Sequence, residues 1–383
     1  MGEWRASTCG DEISLKYGKG IRGYTEAGGP YRVYGSNGPV GWTTEALAPG
    51  PGVVLGRKGA YRGVQFSKKP FFVIDTAYYA APKSDLDMRW LYYAIIHHRL
   101  GGIDDGSPIP STTRSAVYVR DLNVPEKGEQ IALASILGAL DDKIDLNRRM
   151  NETLEAMARA IFQDWFVTFG PTRAKQEGRP PYLAPDLWSL FPNRLDNDDK
   201  PEGWARGPLL DLCQLKRGYD LPTSQRVAGL IPIISSSGVT DHHERPMVDG
   251  PGVVTGRYGT IGEVFFVEGP FWPLNTALYV KDFRGNSRRF VFYTLRLLDF
   301  DQYSDKGAVP GVNRNDLHRA PVTLPPPEVQ QAFERILSPG WERIAANERE
   351  SRTLAATRDL LLPKLMSGEL RVKDAEYAVA EVA

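Results

Sequence analysis

Two short elements of this sequence have the residue types to meet a phosphate. Gly56-Arg57-Lys58-Gly59 and Gly256-Arg257-Tyr258-Gly259 each follow an apolar run that reads as a strand. Glycines at that spacing permit a tight turn and a close backbone approach, and the Arg or Lys at the tip supplies a charged donor. Small hydrogen-bonding residues sit in nearby turns: Ser36 and Asn37, then Ser111-Thr112-Thr113-Arg114, and in the other half Ser235-Ser236-Ser237 and Asn313-Arg314. Such side chains suit phosphates and base edges, and they also suit plain turns. The candidate nucleic-acid contacts are therefore Ser36, Asn37, Arg57, Lys58, Arg62 and Arg114, with Ser235, Ser236, Ser237, Arg257, Tyr258, Asn313 and Arg314.

Catalytic constellations are harder to find. There is no GxxxxGK[ST] phosphate loop, and Gly18-Lys19-Gly20 alone makes no dinucleotide or methyl-donor site. His97-His98 and His242-His243 lack metal-ligand spacing. Asp104-Asp105 and Asp198-Asp199-Lys200 read as solvent-facing loop acids rather than a nuclease pair. No catalytic residue, metal site or cofactor site is assigned to this chain.

The elements that position the candidate contacts occur twice. Pro51-Gly52-Val53-Val54-Leu55-Gly56-Arg57-Lys58-Gly59 returns 200 residues later as Pro251-Gly252-Val253-Val254-Thr255-Gly256-Arg257-Tyr258-Gly259. The same offset pairs Pro70-Phe71 with Pro270-Phe271, Arg114 with Arg314, Pro125 with Pro325 and Gln130 with Gln330. A unit this long is no solenoid repeat. Two domain-sized copies imply a pseudo-dimer with an approximate two-fold axis, suited to a partner that also has two halves. Between the shared anchors the copies diverge: Arg62 faces Gly262, Lys68 faces Glu268, and Gly41-Trp42-Thr43 faces Asp241-His242-His243. If the copies read sequence, they read different sequences.

Residues 1–125 form a strand-rich domain punctuated by Gly and Pro turns, with a helix near Met88 to Arg99. A long helix spans 126–168. Its seam is Leu133, Leu137, Leu140, Ile144, Asn147, Asn151, Leu154, Ala158, Ile161 and Trp165, the alternating 4,3 spacing of a coiled coil. At about 1.5 Å per residue such a helix is roughly 60 Å long. A Pro-rich stretch over 169–203 reads as a connector that returns the chain over a distance. The second domain covers 204–327 and a second helix 328–370, with a tail over 371–383. The second seam holds Phe333, Leu337, Ile344, Asn347, Leu354, Leu361 and Leu365, and Asn347 stands where Asn147 stood. Ser338-Pro339-Gly340 should kink or delay this helix.

The resulting expectation is an α+β chain: two pseudo-two-fold-related mixed α/β domains joined by two long helices that pair as an antiparallel coiled coil. Asn147, Asn151 and Asn347 would lie near the crossing point, where they either set the register or are simply solvated.

Composition adds exclusions. The chain carries 47 basic and 47 acidic residues, so it lacks the overall basic balance common in nucleic-acid binders. Basic charge gathers modestly in the repeated globular parts, whereas the first helix is acidic. Two cysteines, Cys9 and Cys213, are not equivalent under the repeat and read as unpaired thiols of a reducing compartment. No signal pattern or membrane-spanning run is evident, which points to the cytoplasm.

Several segments resemble one family. Pro125-Glu126-Lys127-Gly128-Glu129-Gln130-Ile131, Ile136-Leu137-Gly138-Ala139-Leu140-Asp141-Asp142-Lys143-Ile144 and Phe162-Gln163-Asp164-Trp165-Phe166-Val167 look like the central helix of type I restriction–modification specificity subunits. Leu360-Leu361-Leu362-Pro363-Lys364-Leu365-Met366-Ser367-Gly368-Glu369-Leu370 resembles the end of their second helix. Pro171-Thr172-Arg173-Ala174-Lys175 and Pro201-Glu202-Gly203-Trp204 also look like that family. The second copy departs at Pro339-Gly340, after which it lacks the Asp141-Asp142 region of the first copy.

The resemblance implies two target recognition domains held apart on antiparallel helices, each reading one half of a bipartite, asymmetric duplex DNA target. It implies two methyltransferase subunits docked on the scaffold, and a restriction and translocation subunit that can join them. S-adenosylmethionine, ATP and magnesium would be bound by those partners and not by this chain. The residues leave open a specificity subunit of a related methylation-based defence system, a duplicated coiled-coil scaffold with no DNA readout, and a nuclease of unrecognised type.

Overall fold

The computed structural model describes residues 4–103, 110–305 and 311–375, so Asp104-Asp105 lie outside the described residues. The chain divides into two compact units, residues 1–150 with 346–383, and residues 151–345.

The first unit is organised by the buried strand Gly52–Gly56, an unbroken apolar run flanked by turns. It is a central strand of a four-stranded antiparallel sheet in the order Ile13–Tyr17, Ala77–Pro82, Gly52–Gly56, Val64–Ser67. A three-stranded sheet of Gly38–Thr43, Tyr31–Gly35 and Phe71–Val73 stands beside it. Gly52 must be a glycine because a Cβ there would lie 2.6 Å from the Phe71 ring. The strand pair Arg5–Thr8 and Asp121–Val124 closes the domain where its chain enters and leaves.

The second unit repeats this plan. Its four-stranded sheet runs Gln214–Arg217, Ala277–Asp282, Gly252–Gly256, Val264–Val267, and its smaller sheet Gly238–His243, Ile231–Ser235, Trp272–Pro273. The register is the same: Val54 faces Tyr79, and Val254 faces Tyr279. Both copies carry a cis Gly–Pro bond, at Gly50–Pro51 and Gly250–Pro251. A Cβ at Gly252 would likewise lie 2.6 Å from a Phe ring, that of Phe271.

A helix packs on each four-stranded sheet, Met88–His97 in the first unit and Arg288–Leu297 in the second. Asp87 caps the first by accepting from the amides of Arg89 and Trp90 at 2.9 and 2.8 Å. The duplicated Gln and Pro fasten this capped end to the long helix. Gln130 accepts from the Asp87 amide at 2.8 Å and donates to the Pro125 carbonyl at 2.9 Å. Gln330 does the same with the Ser287 amide and the Pro325 carbonyl, both at 3.0 Å.

The first long helix covers Lys127–Phe162 and continues through a π-turn, Gln163–Val167; the second covers Pro327–Met366. Within the first unit their seams pack directly: Leu133, Leu137 and Leu140 share one core with Leu354, Leu361 and Leu365. Ile144 is half-buried at its edge. The direction is antiparallel, because Asp141 pairs with Arg358 while Asn147 meets Asn347, Glu350 and Ser351. The buried Asn147 amide reaches the Asn347 carbonyl at 3.5 Å and the Glu350 carboxylate at 2.7 Å.

In the second unit the pairing runs on with Asn151 donating to the Ile344 carbonyl at 3.5 Å. Buried Trp165 and Leu337 and half-buried Leu154, Ile161 and Ile344 continue the seam, which ends in an aromatic core of Phe162, Trp165, Phe166, Phe333 and Trp341.

One expectation is corrected. The second helix is neither delayed nor interrupted at Pro339. That residue is exposed, as is Arg335 one turn earlier, whose carbonyl loses its intrahelical partner, so water can satisfy it. The stretch 169–203, read from the sequence as a connector, has structure of its own. It forms the helices Gly170–Gln176 and Pro185–Ser189 and buries Phe191 against Trp165 and Phe169 against Trp204, the first residue after it.

Cys9 and Cys213 are free and buried, and burial pushes their thiols up to about 11 and about 12. Among the described residues no helix is long and apolar enough to cross a membrane.

Candidate functional site

In each unit three separate segments converge on the turn after the central strand. In the first, the Thr76 carbonyl gathers them: it accepts from the amides of Arg57 and Lys58 at 2.9 and 3.2 Å and from the Ser36 hydroxyl at 2.6 Å. The Thr112 amide donates to the Arg57 carbonyl at 2.9 Å, and Lys58 bridges Ser111. Gly56 permits this closeness, since a Cβ there would stand 2.2 Å from the Ser36 carbonyl oxygen. Ser36, Arg57, Lys58 and Arg114, drawn from distant parts of the sequence, thus share one surface. Asn37 is exposed at the tip of the adjoining hairpin.

The two arginines rest on tyrosines. Arg114 lies 3.9 Å from the ring centre of Tyr17 and 5.8 Å from that of Tyr78; Arg57 lies at 5.1 and 5.9 Å. The two rings are 5.0 Å apart. Among the described residues neither guanidinium has a hydrogen-bond or ion-pair partner, and the Arg114 Nε is buried without one. Burial pushes the Tyr78 phenol up to about 12, so it is protonated near neutral pH.

Arg62 plays a different part. Its guanidinium donates to Thr112 Oγ1 at 3.1 Å and to the carbonyls of Gly59 and Ile103 at 2.6 and 2.9 Å. It braces the turn, which leaves it a poorer candidate for an outside ligand.

The second unit builds the same frame with other side chains. The Arg257 and Tyr258 amides donate to the Thr276 carbonyl at 2.9 and 3.1 Å, Val312 donates to the Arg257 carbonyl at 2.8 Å, and Tyr258 bridges Gly311. A cleft of about 390 Å³ opens here, lined by Arg217, Arg257, Tyr258, Asn313, Arg314 and Asn315 among others. Arg257 stacks on Tyr258 at 4.4 Å. Asn313 is partly committed, capping the short helix Arg314–Leu317 through the Asn315 amide at 2.9 Å.

Ser235 is buried and turned into its own hairpin, its hydroxyl donating to the Gly238 carbonyl at 3.2 Å. Ser236 is half-buried beside Gly259, and Ser237 is exposed.

Tyr17, Tyr78, Arg217 and Asn315 were missed from the sequence. Position 17/217 carries a faint signal, because it immediately precedes the duplicated Gly18 and Gly218. Two other sequence candidates for chemistry have structural roles. His243 is buried, bonded to the Val227 backbone and packed edge-on against Trp272. Lys200 pairs with Asp196.

Residues 201–354 match the family model described as the type I restriction modification DNA specificity domain. The chain is 25% identical over 321 residues to the type I restriction enzyme MjaIX specificity subunit of Methanocaldococcus jannaschii, a match covering 76% of this chain and 71% of that protein. It is 25% identical over 330 residues to the HindI specificity subunit of Haemophilus influenzae, covering 68% and 71%. The crystal structure of the type I restriction–modification S subunit from M. genitalium shares its fold, with a TM-score of 0.61 at 17% identity over 94% of this chain and 96% of that one. These matches make residues 201–354 similar to a type I DNA specificity domain, and most of the chain similar to the specificity subunits of type I restriction enzymes.

Proposed function

We propose that this chain selects a bipartite, asymmetric duplex DNA target, one unit reading each half, for a complex that methylates adenine. The observation that carries the reading is the cradle around Thr76 and Thr276, built twice on one backbone plan and lined by different side chains. Shared hydrogen-bonded scaffolding with divergent lining is what two readers of different half-sites require.

The long helices serve as the docking scaffold. Apolar side chains face solvent along them: Ile131, Leu146 and Leu360 in the first unit and Met157 in the second. Two methyltransferase subunits are the partners we assign to these faces, with a restriction and translocation subunit joining them. S-adenosylmethionine, ATP and magnesium belong to those partners, and the complex works in the cytoplasm.

Long-read methylome sequencing tests the proposal in cells expressing the cognate methyltransferase with and without this chain. A gapped, asymmetric adenine-methylated motif that appears only with the chain is the expected result. No such motif, with both proteins expressed, overturns it.

A further inference from the structure

The two cradles differ in a patterned way. Arg57 and Arg114 recur as Arg257 and Arg314, while Tyr17, Lys58 and Tyr78 become Arg217, Tyr258 and Leu278. In the first unit both retained arginines lie within 6 Å of the same two rings, and no carboxylate among the described residues neutralises them. In the second unit the cleft is lined by three arginines and no acid, although Arg217 also reaches Asp220 at 3.2 Å. Two like charges gathered without a counter-charge repel each other, and an anion bound between them removes that repulsion.

We propose that Arg57 with Arg114, and Arg257 with Arg314, form the same clamp for a DNA phosphate, and that residue 17/217 beside it reads a base. This rests on the DNA-recognition reading above and divides the labour within it. Phosphate contacts carry no sequence information, so two readers of different half-sites can share them. Base contacts must differ between the readers. Position 17/217 does differ, in the same strand position: Tyr17 touches Arg57 and Arg114, and Arg217 lines the cleft that holds Arg257 and Arg314. Tyr17 presents a ring that suits the thymine methyl, whereas Arg217 presents a fork that suits guanine O6 and N7.

The test uses the full chain in its methyltransferase complex. Binding to a random-sequence duplex is followed against KCl concentration, and the methylated motif is sequenced in cells. Arg114→Gln and Arg314→Gln should each flatten the slope of log affinity on log salt by about 0.9 and leave the motif unchanged. Tyr17→Arg should alter one position in one half of the motif, towards guanine, and leave the other half intact. Thermal melts check folding, and Arg57→Gln replaces Arg114→Gln if the latter unfolds.

An unchanged slope in folded arginine variants, or a motif altered by them, overturns the clamp while DNA recognition stands. A motif untouched by Tyr17→Arg overturns the assignment of position 17. Failure of the unmodified complex to bind duplex even at low salt removes the DNA-recognition reading itself.

Discussion

Tyr93 donates its phenol to Asp141 Oδ2 at 2.6 Å, tying the helix on the first sheet to the first long helix. The other oxygen of Asp141 accepts from Arg358 on the second long helix, also at 2.6 Å. One carboxylate therefore joins three elements of the first unit. In the second unit the equivalent Tyr293 finds its acid elsewhere: it donates to Glu155 at 3.1 Å, and Trp341 occupies the place of Asp141.

Asp141→Ala should leave a buried phenol and a largely covered guanidinium without their acceptor. A loss of about 2 kcal/mol follows, since removing one partner of such a network costs more than the network is worth intact. Thermal unfolding should show the first transition lowered by about 4 °C or more. An unaltered melting curve would refute the joint.

Gly52→Ala and Gly252→Ala should be damaging to similar degrees. Each new methyl would stand 2.6 Å from a buried Phe ring edge, and overpacking of this kind costs about 1–3 kcal/mol. Chemical denaturation of the two single variants checks this. A marked inequality between them would show that the two cores do not yield alike.

Asn147 and Asn347 are buried at the middle of the helical pair. Replacing both by Leu should raise the melting temperature, because apolar packing supplants polar groups at a dry seam. It should also weaken the specification of register, seen as mixed assemblies by light scattering. A lower melting temperature would mean that the amide contacts to Glu350 and Ser351 outweigh the gain.

The acid response has a definite sign. A hydrogen bond from Arg5 is the largest cause holding the Glu12 carboxyl down at about 2; Ser7 and Ser84 add to it and burial opposes it. A hydrogen bond from Arg89 chiefly holds Asp142 at about 2 as well. Both folded values lie below the unfolded carboxylate range near 4. Their stabilisation is complete above about pH 4 and is lost as pH falls through about 2. Glu12→Gln should therefore flatten the dependence of stability on pH in this window, and an unchanged slope there would contradict it.

Much of this architecture can be read from the residues. The seam leucines and the paired asparagines stand where their spacing put them, because heptad periodicity is local information. Pro125/Pro325 and Gln130/Gln330 were visible as identities, but their joint role needs the capped domain helix brought beside them. Pro339 was misjudged since the rule for proline ignores which face is wet. The packing of the segment 169–203 was not legible because Phe169 and Phe191 follow no period and find their partners only in three dimensions. Tyr17 escaped notice for a related reason: strand pairing, not sequence proximity, sets it beside Tyr78 and under Arg114.

The second unit is one uninterrupted stretch of chain, whereas the first is assembled from residues 1–150 and 346–383. During synthesis this creates an order of events. The second unit has all its parts once residue 345 has left the ribosome, but Leu133, Leu137 and Leu140 must wait for Leu354, Leu361 and Leu365 to emerge. For that interval a nascent chain leaves a row of leucines uncovered, the kind of surface that chaperones and proteases engage. A ribosome that stalls late would release a molecule with one sound unit and one incomplete one.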